Sequence, residues 1–281
     1  MALVNMRTLL KDAAQRDYAV PAYNVTTWET FKAMMTAAEQ ERAPIIISLT
    51  PKFLRFLGPE FICPAIRETA EKSELPFALH LDHGRTLEDV QLAAANGFTS
   101  VMIDGSMYPM EENIRLTRQV KAFTDPLGIS VEGELGAMVW DTKQEKGDTG
   151  HMTDPEAAGA YVRASGVDAL AVSIGNNHGI YVSEPVIDFG RLAEIQANTG
   201  IPLVLHGGTG TPGLPKVISG GVRKVNVNSA FQMAYRRTME AEMEKPYQIN
   251  DFSDVITAPV VAALKEVAVK YIREFRADHR Y

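Results

Sequence analysis

Short runs of apolar residues alternate with amphipathic helical patterns along the whole chain, which predicts repeated βαβ units around a parallel sheet. Ala19-Val-Pro-Ala-Tyr-Asn24 reads as the first strand, and Thr27 caps a helix running to about Glu41. Pro44 to Leu49 is continuously apolar up to Ser48, as expected of a strand buried on both faces. A helix over 59–72 leads into a third strand, 76–82, and Thr86 with Asp89 forms an approximate capping box for the next helix. Further strands are expected at Thr99–Asp104, Gly128–Glu134, Val167–Val172, Ile201–His206 and Val222–Val227, and a long helix from Asp254 to Arg276. Eight strand-helix pairs make an α/β fold of the (β/α)8 TIM-barrel type with a C-terminal helical extension the natural reading. A doubly wound sheet is the runner-up, but this chain lacks the Gly-x-Gly-x-x-Gly turn after strand one that such a sheet would carry.

The length of 281 residues fits one barrel domain of about 250 residues, with 245–281 as connector and final helix. Thirty-five acidic against 28 basic side chains, net −7, argue against nucleic acid or an anionic membrane as partner. The single cysteine, Cys63, cannot form an internal disulfide; no signal peptide or membrane span is evident, and a soluble cytoplasmic protein is expected.

Candidate chemistry lies at strand ends. His83, His178 and His206 fall at or just past the C-terminal ends of strands three, six and seven, which converge on one face of a barrel. Three imidazoles with an open fourth position suit catalytic zinc. His80, inside strand three, is expected to be a satisfied core histidine. Asp82 adjoins His83 but would point to the opposite side of an extended strand, which suits an acid/base better than a ligand of the same metal. Asp104, Glu132 and Glu134 also end strands, the last two facing the same side, and could hold a ligating histidine, offer a second metal position or cap a helix. Gly207-Gly-Thr-Gly210 after strand seven and Asn226-Val-Asn-Ser229 after strand eight match a phosphate-binding device of barrels. The polar stretch from Gly136 to Thr153 is long for a βα turn and is a candidate lid.

The motifs Ala19–Asn24, His80-Leu-Asp-His83, Met102-Ile-Asp-Gly-Ser106, Val131-Glu-Gly-Glu-Leu-Gly136, Gly175-Asn-Asn-His-Gly179, Leu205–Gly210 and Lys224-Val-Asn-Val-Asn228, in this order, resemble the class II fructose-bisphosphate and tagatose-bisphosphate aldolase family over nearly the whole length. The resemblance implies a zinc-dependent lyase that reversibly cleaves a phosphorylated ketose to dihydroxyacetone phosphate and an aldehyde. It implies Zn²⁺ on His83, His178 and His206, a resting metal position flanked by Asp104 and Glu134, and Asp82 as acid/base. Asn24, Ser48, Gly179, Gly207, Gly208, Thr209, Asn226, Asn228 and Ser229 would bind substrate. The family often adds a monovalent cation, Na⁺ or K⁺, near these loops, and a homodimer or homotetramer is implied.

Two departures stand out. The family's Gly-Gly-x-Glu-Asp segment after strand five is replaced by Ala137-Met-Val-Trp-Asp-Thr-Lys-Gln-Glu-Lys146, which leaves Asp141 and Glu145 as candidate lid acids. An Asp-Pro-Arg segment, whose arginine reaches the far phosphate, becomes Phe252-Ser-Asp254. A carboxylate cannot replace that cation, so the aldehyde half is expected to be atypical, unless Arg55, Lys52 or Arg85 substitutes. Two other readings are a metal-dependent barrel hydrolase, which lacks its usual His-x-His on strand one, and a non-catalytic subunit assisting an aldolase.

Overall fold

The computed structural model describes residues 3–136, 152–177, 179, 184–246 and 253–281. Eight parallel strands close in chain order: β1 (Val20–Asn24), β2 (Ile45–Leu49), β3 (Phe77–Gly84), β4 (Ser100–Ile103), β5 (Ser130–Leu135), β6 (Ala169–Val172), β7 (Leu203–Leu205) and β8 (Val222–Val227), with β8 paired to β1. The expected (β/α)8 barrel is therefore observed. Most strands are shorter than the apolar runs that announced them, because flanking residues such as Pro44 and Pro202 lie outside the ladder.

The outer faces of the strands pack against the helices. The inner face carries a polar belt, in which register sets Asn24 beside Ser48, Ser48 beside His80, His80 beside Ser100 and Ser100 beside Ser130. Glu132 on β5 touches Lys224 on β8, and strands so far apart in the ring can meet only through its centre.

An unanticipated first helix, α1 (Met6–Arg16), is capped by Asn5 and buries Met6, Leu9, Leu10 and Ala13 against the barrel; Val4 N–H donates to Phe77 O at the start of β3 (2.8 Å). α2 (Trp28–Glu41) starts from a Thr27/Thr30 capping box. A short α3 (Pro51–Leu57), capped by Thr50, precedes α4 (Pro59–Lys72). α5 (Leu87–Ala95) has the Thr86/Asp89 capping box foreseen above. Then come α6 (Met110–Thr124), α7 (Pro155–Ser165), α8 (Phe189–Thr199), α9 (Leu214–Ser219), α10 (Ser229–Met243) and α11 (Ser253–Glu274), the last packing on α2 and α10. Among the described residues no helix is long and apolar enough to cross a membrane.

Candidate active site

The tip of β3 departs from regular alternation. Leu81 pairs with Val101, but Gly84 pairs with Ile103, so three steps on β3 match two on β4. The extra residue is a β-bulge, and His83 takes it up with a left-handed φ of 52°. Gly84 makes room, since a Cβ there would lie 2.8 Å from Met102 O. The expectation that Asp82 and His83 point to opposite sides is thereby corrected. Ligand atoms of Asp82, His83 and His206 all lie within 4.8 Å of one another, as do those of His83, Asp104 and Glu134.

Asp82 is buried and held at both oxygens. Asn24 Nδ2 donates to Oδ2 (2.8 Å) and Asn226 Nδ2 to Oδ1 (3.0 Å). Burial alone would favour the neutral acid, but the charges of His83 and Lys224 outweigh it and hold the carboxyl well below its usual range. His83 feels the opposite pull. Burial disfavours its charge, yet Asp82 and a contact from Nδ1 to Asp104 Oδ2 (3.4 Å) push it up to about 9. Asp104 is fixed by Ser106, whose hydroxyl (2.7 Å) and N–H (3.2 Å) both donate to Oδ1. Beside it, burial and the Asp104 charge raise Glu134 to about 8, and Glu134 Oε2 is buried with no hydrogen-bond partner among the described residues.

His206 lies deeper. Its Nε2 meets Glu132 Oε1 at 2.8 Å, and its Nδ1 faces His83 Nε2 at 3.1 Å and Asn226 Nδ2 at 3.4 Å. A carboxylate only accepts, so His206 donates from Nε2 and presents the Nδ1 lone pair to His83. The other Glu132 oxygen accepts from Lys224 Nζ at 2.7 Å. His80 is a satisfied core histidine as expected, with Nδ1 on Ser100 Oγ (2.9 Å) and Nε2 on Lys224 Nζ (3.4 Å). Lys224 opens the Lys224–Asn228 motif, but the sequence assigns it no role of its own. Its signal was the two-residue spacing from Asn226, which puts both on the inner face.

A cluster of imidazoles and carboxylates at the C-terminal ends of barrel strands fits metal-assisted chemistry, and comparison with known proteins decides the family. The sequence profile of class II fructose-bisphosphate aldolases matches residues 4–280. The chain belongs to the class II fructose-bisphosphate aldolase family. A fructose-bisphosphate aldolase of Geobacillus stearothermophilus is 36% identical over 280 residues, covering 98% of this chain and 97% of its own. The crystal structure of the YdjI aldolase from Escherichia coli K12 superposes with a TM-score of 0.88 at 33% identity, covering 99% of each chain. A fructose-bisphosphate aldolase of Campylobacter jejuni, at 21% identity and TM-score 0.84 over 100% of this chain and 97% of its own, shares the fold.

In this aldolase the loops after β6, β7 and β8 adjoin the site. Asn176 ties two of them together, with Nδ2 donating to His206 O (3.0 Å) and Oδ1 accepting from Ile174 N–H (2.8 Å). Gly179 has a φ of 101° and Gly207 of 66°, both in the region that favours glycine. Gly208 sits where a Cβ would meet Val225 Cγ1 at 2.3 Å, and its N–H donates to Asn226 O (3.0 Å), so that amide is already engaged. Thr209 Oγ1 accepts from Ala230 N–H (3.2 Å) in the first turn of α10, which Ser229 opens and Asn228 precedes. Asn226 Oδ1 and Ser48 Oγ are buried with no hydrogen-bond partner among the described residues.

His178 and the candidate lid acids Asp141 and Glu145 lie outside the described residues. The flanks of the segment holding those acids are pinned: Thr153 Oγ1 donates to Leu135 O and accepts from Ser173 N–H (2.8 Å). Asp254 is exposed in the first turn of α11, where an acid suits the helix dipole. Arg55 Nη2 donates to Asp89 Oδ1 (2.6 Å).

Proposed function

We propose that this aldolase is zinc-dependent and cleaves a phosphorylated ketose to dihydroxyacetone phosphate and an aldehyde, with Asp82 as proton carrier. The observation that carries the reading is the cluster of Asp82, His83 and His206, whose ligand atoms lie within 4.8 Å of one another and in which His83 also adjoins Asp104 and Glu134. Three carboxyl groups around His83, its upward shift to about 9 and the unpartnered Glu134 Oε2 mark a place that favours positive charge. Nitrogen and oxygen donors of this kind suit zinc. His83 and His206 would hold the ion with His178 as third ligand, and Asp104 and Glu134 would offer a second position. Zinc bound there supplies Lewis acidity toward the substrate carbonyl.

The proton work falls to the chain. Asn24 and Asn226 aim the ionised Asp82 carboxylate, which accepts the proton of the hydroxyl next to the breaking carbon–carbon bond and returns it in condensation. Ser48, Gly179, Gly207, Gly208, Thr209, Asn226, Asn228 and Ser229 form the substrate surface. The phosphate lies toward the N-terminus of α10. A lid acid, Asp141 or Glu145, exchanges the proton at the dihydroxyacetone phosphate carbon. Because an acid, Asp254, stands where the family resemblance places a phosphate-binding arginine, the aldehyde half lacks a terminal phosphate. The active form is a homodimer or homotetramer.

The test is release of dihydroxyacetone phosphate, read by a coupled dehydrogenase, from ketose 1-phosphates and from fructose and tagatose 1,6-bisphosphates. Chelator-sensitive release, at least as fast from the 1-phosphates, is expected. Release untouched by chelation contradicts zinc dependence, and a strong preference for bisphosphates contradicts the assignment of the aldehyde half.

A further inference from the structure

Lys224 is a lysine at the centre of the barrel, fully buried together with its partner Glu132. It is too deep to meet a substrate at the mouth, and the proton chemistry above leaves it without work. Its contacts form an ordered chain. A lysine ammonium has donors only. One goes to Glu132 Oε2 (2.7 Å) and another to His80 Nε2 (3.4 Å). His80 must accept at Nε2, so it donates from Nδ1 to Ser100 Oγ (2.9 Å), and Ser100 Oγ faces Leu79 O at 3.5 Å. This side of the chain ends on backbone and anchors the ammonium. The other side runs through Glu132 Oε1 to His206 Nε2 (2.8 Å).

We propose that Lys224 is a positioning residue that acts through Glu132 to hold His206 in its Nε2–H tautomer, with Nδ1 turned to the metal. Without Lys224, Glu132 loses the contact that fixes Oε2 at the barrel centre, so Oε1 is no longer aimed at His206 Nε2–H and the imidazole loses the acceptor that selects its tautomer. The inference rests on the reading of His206 as a metal ligand. Outer partners of ligating histidines commonly change metal affinity by about 10–100-fold, and such an effect is expected here.

The experiment compares full-length wild type with Lys224→Met, the charge-neutral pair Lys224→Met/Glu132→Gln, Glu132→Gln alone and His206→Ala. The neutral pair guards against misfolding caused by one unpaired buried charge. Two readouts are taken on protein shown to be folded by circular dichroism: zinc affinity by chelator competition, and the His206 tautomer by ¹⁵N-imidazole NMR. His206→Ala should weaken zinc binding. The Lys224 variants should weaken it about 10-fold or more and mix the two tautomers. Adding Lys224→Met to Glu132→Gln should cost less than about 2-fold further, as for one pathway. If His206→Ala weakens zinc binding but the Lys224 variants leave affinity and tautomer unchanged, the positioning role is overturned. If His206→Ala leaves zinc affinity unchanged, the ligand assignment fails, and the role toward the metal fails with it.

Discussion

β3 and β8 both send chemistry into the barrel, but by different backbone rules. β8 shifts register early, where Leu203 pairs with Val222 but Val204 with Lys224, and alternates from there to its tip: Lys224 reaches the centre, where it meets Glu132, and Asn226 lies one pleat higher, on Asp82. β3 alternates through His80 and Asp82 and then breaks, so that the consecutive residues Asp82 and His83 join one cluster. Regular strands grade their side chains by depth. Glu132 and Glu134 on β5 repeat the pattern, the first on Lys224 and His206, the second beside Asp104 and His83. A bulge does something alternation cannot, placing the proposed base Asp82 next to the proposed metal ligand His83 from a single strand end. On this view the deep layer orients and the mouth layer reacts.

The largest expected effect strikes the mouth. Asp82→Asn keeps the shape but removes the proton acceptor, so kcat should fall by about 10²–10⁴-fold with zinc content unchanged, as measured by metal analysis beside the dihydroxyacetone phosphate assay. Equal losses of zinc and activity would mean that Asp82 serves the metal rather than the proton. Next come two glycines that let the strands take their contrasting forms. Gly84→Ala puts a Cβ 2.8 Å from Met102 O, and Gly208→Ala puts one 2.3 Å from Val225 Cγ1 and 2.9 Å from Asn226 O. Each should destabilise by about 1–3 kcal/mol in urea unfolding. Gly84→Ala should also weaken zinc binding, because it displaces His83, whereas Gly208→Ala should mainly raise KM for the phosphorylated substrate. Matching zinc losses in both variants would erase the distinction between the two strands.

Much of this arrangement was legible in the sequence. Eight apolar runs gave eight strands, and the two-residue period placed Glu132 with Glu134 because β5 is regular. Thr27 and Thr86 announced helix starts through chemistry local to one turn. The bulge was not legible, since a left-handed φ at His83 depends on pairing with β4 and on the space over Gly84. Lys224 was silent for a related reason. A lysine inside a strand reads as a solvated charge until its partner, 92 residues away in the chain, is seen across the barrel. The helix α3 was overlooked although Thr50-Pro51 is a cap followed by a first-turn proline.

Smaller effects serve as controls remote from both strands' reacting ends. Thr86→Ala removes the cap of α5 and should cost about 1 kcal/mol in unfolding experiments, with little change in zinc affinity. Glu41 accepts two hydrogen bonds from Arg273 (2.8 and 2.9 Å), which hold its carboxyl below the usual range. Its contribution to stability is therefore present above the ordinary carboxylate pKa and is lost as pH falls through the depressed value. The stability difference between wild type and Glu41→Gln should shrink on acidification. A gap that widens toward low pH would reverse the sign of this ion pair.

The most direct measurement is anomalous scattering at the zinc edge from crystals of the zinc-loaded enzyme. A peak within reach of His83 Nε2 and His206 Nδ1 is expected, with Asp82 still held by Asn24 and Asn226. A zinc ion bound elsewhere, or bound there with Asp82 as its ligand and drawn away from both asparagines, would contradict the assignment.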